Sequence, residues 1–287
     1  MSSIPFSVLM CVYKNDNPTY FKQALESVSN QTVRPSEIVL VIDGPIPKET
    51  SDNINDFALK NKDIFNLIDL KVNVGHGKAK NIGLEKCTHE LVAIMDSDDI
   101  CTNDRFEKQL SYFKKHPETS ILGGIISEFN KNINISLGER SLPSTHSEIK
   151  KFLKKRCPMN HMTVMFKKSK VIEAGGYLDW HYNEDYYLWI RMYLSGAIFS
   201  NLSDIIVYAR VNDEFYLRRG GWKYFISESK LQYFMFKKNI INIFRLTFNI
   251  LIRFFVQFVL PNKFRKWLFL RLLVIIVQTF IIVKCLS

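Results

Sequence analysis

The chain has 287 residues and a formal charge of +11, from 39 Lys and Arg against 28 Asp and Glu. The charge is uneven: residues 1–214 carry 26 basic and 27 acidic side chains, a net of −1, whereas residues 215–287 carry 13 basic side chains and one acidic, Glu228, a net of +12. This excludes a uniformly basic nucleic-acid binder, and the 47% hydrophobic content excludes disorder because it is enough to bury a core.

In chain order, Phe6–Tyr13 reads as a buried strand and Pro18–Ser29 as a helix with Tyr20, Phe21, Ala24, Leu25 and Val28 on one side. Glu37–Asp43 is a second strand, stopped by the Gly44-Pro45 turn. The pattern then predicts a helix over Thr50–Lys62, a strand over Phe65–Val72, a helix over His76–Lys86 and a strand over Leu91–Met95 that runs into Asp96-Ser97-Asp98-Asp99. Ile121–Phe129, Met162–Phe166 and Ile205–Tyr208 offer further strands, and the chain after Arg219 reads as helix almost throughout. Such alternation predicts a Rossmann-like α/β fold, a mostly parallel sheet with covering helices, which binds ligands at the carboxyl ends of its strands. Tyr13, Asp43 and Asp96–Asp99 all fall at such ends, far apart in sequence.

Five scattered cysteines (Cys11, Cys87, Cys101, Cys157, Cys285) with no CxxC pair fit reduced thiols better than a disulfide framework or a zinc site. No basic n-region opens the chain and its first apolar run is strand-length, so no signal peptide is read. The catalytic part is expected in the cytosol.

The carboxylates of Asp96-x-Asp98, with Asp99 beside them, repel one another on their turn, and Mg²⁺ or Mn²⁺ relieves that repulsion with substrate phosphates completing the shell. The alternative is an acidic turn capping a helix that begins near Asn103. Asn73–Gly83 is a glycine-interrupted loop that brings backbone, Lys78, Lys80 and Asn81 close to a phosphate, and it matches neither a Walker loop nor GxGxxG. Asp43, read as an exposed strand-end carboxylate, either accepts a hydrogen bond from a nucleobase or simply closes a turn. Glu184-Asp185 opens an aromatic-rich helix and supplies a candidate general base, while Trp189 belongs to the core. His161 and Trp180 are placed at an acceptor site, and Arg218-Arg219 suits a pyrophosphate.

In the tail, Asn242, Arg245, Asn249, Arg253 and Gln257 fall on one helical stripe amid Ile, Phe, Leu and Val. Beyond Pro261 a second apolar helix carries Arg271 and Gln278, and its longest run without a formal charge, Leu272–Val283, falls short of the roughly 20 residues that span a bilayer. The reading is a pair of basic in-plane helices at an anionic membrane surface, against the alternative of helices packed on the protein itself or in a dimer.

Taken together, Ser7–Tyr13, Glu37–Asp43, NVGHGKAKNIG, DSDD and Asn183–Trp189 resemble family 2 glycosyltransferases over residues 5 to about 210, closest to bacterial O-antigen, capsule and exopolysaccharide members. The resemblance implies a GT-A fold, a nucleotide-sugar donor (a UDP-sugar), a divalent metal and inversion at the anomeric carbon. It implies a nucleobase contact for Asp43 with Tyr13 nearby, donor contacts for Lys80, Asn81, Asp96 and Ser97, and metal-diphosphate contacts for Asp96 and Asp98. Asp185 becomes the base, with Glu184 beside it. The chain departs from the pattern at Lys80, where an arginine is common. The tail lacks the several spans and the QxxRW motif of processive synthases, so one sugar per encounter is expected, on a polyprenyl-diphosphate-linked acceptor at the cytoplasmic face of the inner membrane. The expected domains are 1–215 (catalytic, with a nucleotide-sugar half 1–100 and an acceptor half 101–215) and 216–287 (membrane-associating). The rival readings are a non-catalytic nucleotide-sugar-binding protein and a sugar nucleotidyltransferase.

Overall fold

A computed structural model describes residues 4–211 and 221–259. Strands β1 (Phe6–Val12), β2 (Glu37–Asp43), β3 (Phe65–Leu70) and β4 (Leu91–Met95) pair in parallel in the order β3-β2-β1-β4. Helices α1 (Pro18–Ser29), α2 (Lys48–Lys60) and α3 (His76–Lys86) make the crossovers. The chain enters α1 at a defined point because Asn17 accepts hydrogen bonds from the backbone N–H groups of Thr19 and Tyr20, and Pro18 needs no donor at the first turn.

After β4 come the short β5 (Ile100–Cys101), α4 (Arg105–Lys115), β6 (Ile121–Phe129), β7 (Gly138–Arg140) and α5 (His146–Leu153). Then follow β8 (Met165–Lys167), α6 (Lys168–Glu173), α7 (Glu184–Leu194) and β9 (Phe199–Arg210). The sheet continues from β4 through β8, β6 and β9 to β5, with β6 and β9 parallel over their length and the pairings of β8, β5 and β7 short and antiparallel. Two expectations shift. Residues expected as a strand over 162–166 begin as a 3₁₀ turn, His161–Thr163, before β8, and β9 runs well beyond the expected 205–208. Hydrophobic runs locate such elements without locating their ends, which the turn at Asn160 and the pairing with β6 decide here.

Alternation along β1 builds a core on each face of the sheet. Phe6, Val8 and Met10 pack with Phe21 and Leu25 of α1, Ile54 of α2 and Phe106 of α4. Leu9 packs on the other face with Val39, Val41, Leu84 of α3 and the fully buried Trp189 of α7.

Two C-terminal helices, α8 (Trp222–Lys237) and α9 (Ile243–Phe254), dock on α7 and α5 through Leu231, Met235, Ile241 and Leu246 against Tyr186, Ile190 and Leu153. A π-turn, Phe255–Val259, extends α9. The polar stripe of the tail turns inward from Asn249 on, while Asn242 is exposed and Arg245 half-exposed, which corrects the expectation of an outward-facing Arg253. Asn249, Arg253 and Gln257 are buried: Asn249 donates to Gln232 and to the Lys154 carbonyl, and Arg253 donates to the Lys155 carbonyl and lies 3.4 Å from Glu228. A buried guanidinium needs carbonyls and a carboxylate, and this interface supplies both. Phe244, Phe248, Leu251, Phe254 and Phe255 face outward, Phe244 being 81% exposed. Among the described residues no helix is long and apolar enough to cross a membrane. The expected second tail helix and Arg218-Arg219 lie outside the described residues.

Candidate active site

Because β1, β2 and β4 are parallel neighbours, Tyr13, Asp43 and the Asp96–Asp99 turn open onto one edge of the sheet, with α3 above it. Asp43 is buried rather than exposed, a correction to the sequence reading. Its carboxylate accepts from the N–H groups of Val74 (2.7 Å) and Gly75 (3.2 Å) and from the Asn73 side chain (3.0 Å), so it anchors the loop that starts α3. Gly44 allows this approach: its φ is +84°, and a Cβ there would lie 2.6 Å from the Asn73 nitrogen.

Lys80, on the first turns of α3, is also buried and points at the acidic turn. Its Nζ lies 3.3 Å from the His161 ring, 3.9 Å from Asp96 Oδ1 and 5.6 Å from the centre of the Tyr177 ring. His161, expected on the acceptor side, is buried in the cluster of Lys80, Asp96 and Tyr177, 3.6 Å from Asp96 and 3.1 Å from the Tyr177 hydroxyl. Burial, then the Lys80 charge, lowers the pKa of its imidazole, against the raising effect of Asp96. Asn81 is likewise reassigned: its amide donates to the Tyr177 carbonyl and accepts from the Tyr177 N–H at 2.7 Å, so it holds backbone rather than a nucleotide.

The acidic turn divides into unlike parts. Burial alone would raise the pKa of Asp96, but the His161 hydrogen bond and the Lys80 charge outweigh it and hold the carboxyl below the usual range. Asp98 stands at the mouth of the cleft, and desolvation by the surrounding walls, then repulsion from Asp96 and Asp16, pushes it up to about 6. Asp99 turns away: buried, it accepts from the Arg210 N–H at 2.7 Å, and the Arg210 side chain donates to the Asp98 carbonyl at 3.0 Å. None of these carboxylates caps α4, whose flanking Asp104 makes no side-chain cap bond, so the helix-cap reading falls away. Among the described residues no three side chains form a metal cage. The donor set, Asp96 with an Asp98 raised by desolvation and by the Asp96 charge, fits a hard cation completed by substrate phosphates and water.

Across the cleft, α7 presents Glu184 and Asp185 in its first turn. Glu184 lies 3.0 Å from His76 Nδ1. Against the raising effect of burial, the His76 hydrogen bond and the Lys80 charge bring it to about 2. Asp185 moves the other way, raised by burial and by the Glu184 charge against the pull of His161. Its Oδ1 accepts from the Tyr186 N–H at 2.6 Å, and the Cys157 thiol donates to Oδ2 at 3.9 Å. Trp180 stacks on Tyr187 at 4.3 Å and donates to the Ser227 carbonyl.

Sequence reasoning missed His76, Asp16, Tyr177 and Arg210. Asp16 bonds Ser97 and the Tyr13 N–H, and it adds a further carboxylate beside Asp98. His76 had a signal, since it stands inside the glycine loop. Arg210 had none, being more than 100 residues from the turn it braces.

The family described as Glycosyl transferase family 2 matches residues 7–175. The amylovoran biosynthesis glycosyltransferase AmsE of Erwinia amylovora is 41% identical over 228 residues, 79% of this chain and 84% of that protein. The UDP-Gal:alpha-D-GlcNAc-diphosphoundecaprenol beta-1,3-galactosyltransferase of Escherichia coli is 37% identical over 266 residues, 92% of this chain and 94% of that protein. Among solved structures, S. aureus TarS 1–349 in complex with UDP-GlcNAc is similar with a TM-score of 0.65 at 19% identity, over 88% of this chain and 72% of that one, a likeness of fold.

Proposed function

The chain belongs to glycosyl transferase family 2, and from that premise we propose that it moves one sugar from a UDP-sugar to a sugar carried on a polyprenyl diphosphate, with inversion. The observation that carries this reading is a cleft with two unlike carboxylate sets. A metal-suited pair, Asp96 and Asp98, stands on the donor side, and a separate, half-buried Asp185 of raised pKa stands on α7. The same relatedness favours a role in bacterial surface-polysaccharide synthesis.

In this reading the donor lies along the strand ends, with its base over Tyr13 and the Asp43-anchored loop. Asp96, Ser97 and Lys80 hold the ribose and diphosphate. Asp98 and Asp96 would hold Mg²⁺ or Mn²⁺, which would supply charge neutralisation to the leaving nucleoside diphosphate. Asp185 takes the proton from the acceptor hydroxyl, whose oxygen forms the new bond to the anomeric carbon as the bond to the diphosphate breaks. Attack on the face opposite the leaving group inverts the centre. Glu184, paired with His76, stays ionised and positions the first turn of α7. The outward apolar face of α9 and the +12 charge of residues 215–287 support a peripheral seat on an anionic membrane surface, at its cytoplasmic face.

The test is release of UDP with Mn²⁺ and a polyprenyl-diphosphate-linked sugar. Asp185→Asn should lower turnover by roughly 10²–10⁴-fold while UDP still binds. Transfer by that variant at the wild-type rate would remove Asp185 as the base.

A further inference from the structure

A groove of about 600 Å³ opens between the loop that precedes α7 and the first three turns of α8. Its lining includes Asp179, Trp180 and His181 from the loop and Trp222, Lys223 and Lys230 from the helix. Lys223 and Lys230, seven residues apart, project from one face of α8, are exposed, and form no ion pair with a described residue. Ser227 lies between them on the same face and fastens the groove to the active site. Its hydroxyl accepts from the Asn183 side chain at 3.1 Å, and its carbonyl accepts from Trp180 Nε1 at 3.1 Å. Asn183 immediately precedes Glu184-Asp185, so this hydrogen bond ties the groove wall to the start of α7.

The other end of the groove is apolar. Trp222 lies 5.7 Å from Phe225 and 5.7 Å from Phe258, and Phe254 stands 5.3 Å from Phe258, so an aromatic row leads from the groove onto the outward face of α9. A ligand that fits the whole path needs a long apolar body, then a compact head with more than one negative charge, then a group that reaches Asp185. We propose that this groove holds the prenyl diphosphate of the acceptor: Lys223 and Lys230 bind the diphosphate, and Trp222, Phe254 and Phe258 carry the first prenyl units. Asp179 and His181, on the wall facing α8, bond hydroxyls of the acceptor sugar. Two ammonium charges set against the single Asp179 carboxylate leave the groove cationic, which favours a diphosphate over a neutral glycolipid. The assignment rests on the proposed lipid-linked acceptor.

The experiment uses the full chain with UDP and Mn²⁺ saturating, so that the donor's own diphosphate site is filled, and reads binding of farnesyl diphosphate, farnesol and inorganic pyrophosphate by tryptophan fluorescence. UDP binding, measured first, tests the donor-site reading by itself, and its absence would sink that reading alone. With UDP bound, Lys223→Gln/Lys230→Gln should weaken farnesyl diphosphate roughly tenfold or more and leave farnesol unchanged. Trp222→Ala should weaken both prenyl probes and spare pyrophosphate. Lys237→Gln/Lys238→Gln removes the same charge from the far end of α8 and should change nothing. If farnesyl diphosphate fails to bind the wild-type chain, binds both lysine pairs alike, or is lost equally from both, the groove assignment falls while the glycosyltransferase reading stands.

Discussion

Glu184 and Asp185 are adjacent in the chain, and their surroundings drive their acidities apart: His76 holds the first at about 2, while burial and the Glu184 charge raise the second. A base must be unprotonated to work, so turnover should fall as pH drops through the raised pKa of Asp185. Glu184→Gln removes one raising charge from Asp185. The acidic limb of the pH–rate profile should therefore move to lower pH in that variant, and an unmoved limb would show that the two groups do not interact. His76→Ala makes the complementary test through stability. A carboxylate depressed from 4.5 to about 2 contributes stability that is complete above its unfolded pKa and is lost as pH falls through the folded one. The gap in urea midpoint between wild type and His76→Ala should thus be wider at pH 6 than at pH 3. The carboxylates themselves were legible in the sequence because an acidic pair opening an aromatic helix is conspicuous. Their partner was not, since His76 lies 108 residues from Glu184 and reaches it only through the fold.

At the scale of elements, periodicity located the strands and helices of residues 6–95, because apolar alternation and 3.6-residue spacing record which face is buried. Less legible were close contacts that depend on a missing atom. Gly83 faces the sheet, and a Cβ there would lie 2.4 Å from Leu9 Cδ1 and 2.7 Å from Val41 Cγ2. Gly83→Ala should therefore push α3, and with it Lys80, off β1 and β2, at about 1–3 kcal/mol of stability, read as a lower melting temperature. The tail was read in its periodicity and misread in its polarity. A stripe of Asn, Arg and Gln on an apolar helix looks identical whether it faces water or a buried carboxylate, and only Glu228 on α8, the single acid of the last 73 residues, decides between them. Glu228→Ala leaves Arg253 buried without its charged partner and should cost about 3–5 kcal/mol. Glu228→Leu with Arg253→Met removes both charges and should recover much of that loss. Equal losses in the single and double variants would show that the pair contributes packing alone.

For the whole molecule, the inward polar stripe forces a consequence on the outer surface. With Asn249, Arg253 and Gln257 turned toward α8 and the 154–155 carbonyls, α9 must present its apolar side: Phe244 at 81%, Leu251 at 61%, Phe248 at 54% and Phe255 at 53% exposure. Water does not favour this arrangement, and contiguous apolar patches of this kind mark surfaces that meet another phase or partner. In the proposed reading, the +12 charge of residues 215–287 favours an anionic lipid surface among those options, since like-charged tails of two copies would repel. The two contributions separate by experiment. Replacing Phe244, Phe248, Leu251 and Phe255 by Ser removes on the order of 1 kcal/mol of transfer free energy per half-buried side chain, so liposome partitioning should fall by roughly two to three orders of magnitude on both neutral and anionic vesicles. Raising the salt concentration should instead weaken binding to anionic vesicles alone, because screening acts on the charges and leaves the apolar contact intact. Undiminished flotation of the Ser variant at high salt would place the anchor elsewhere in the chain. If Ser substitution abolishes flotation, the apolar row that runs from α9 to Trp222 seats the cleft at the lipid headgroups, where a diphosphate on a prenyl chain resides.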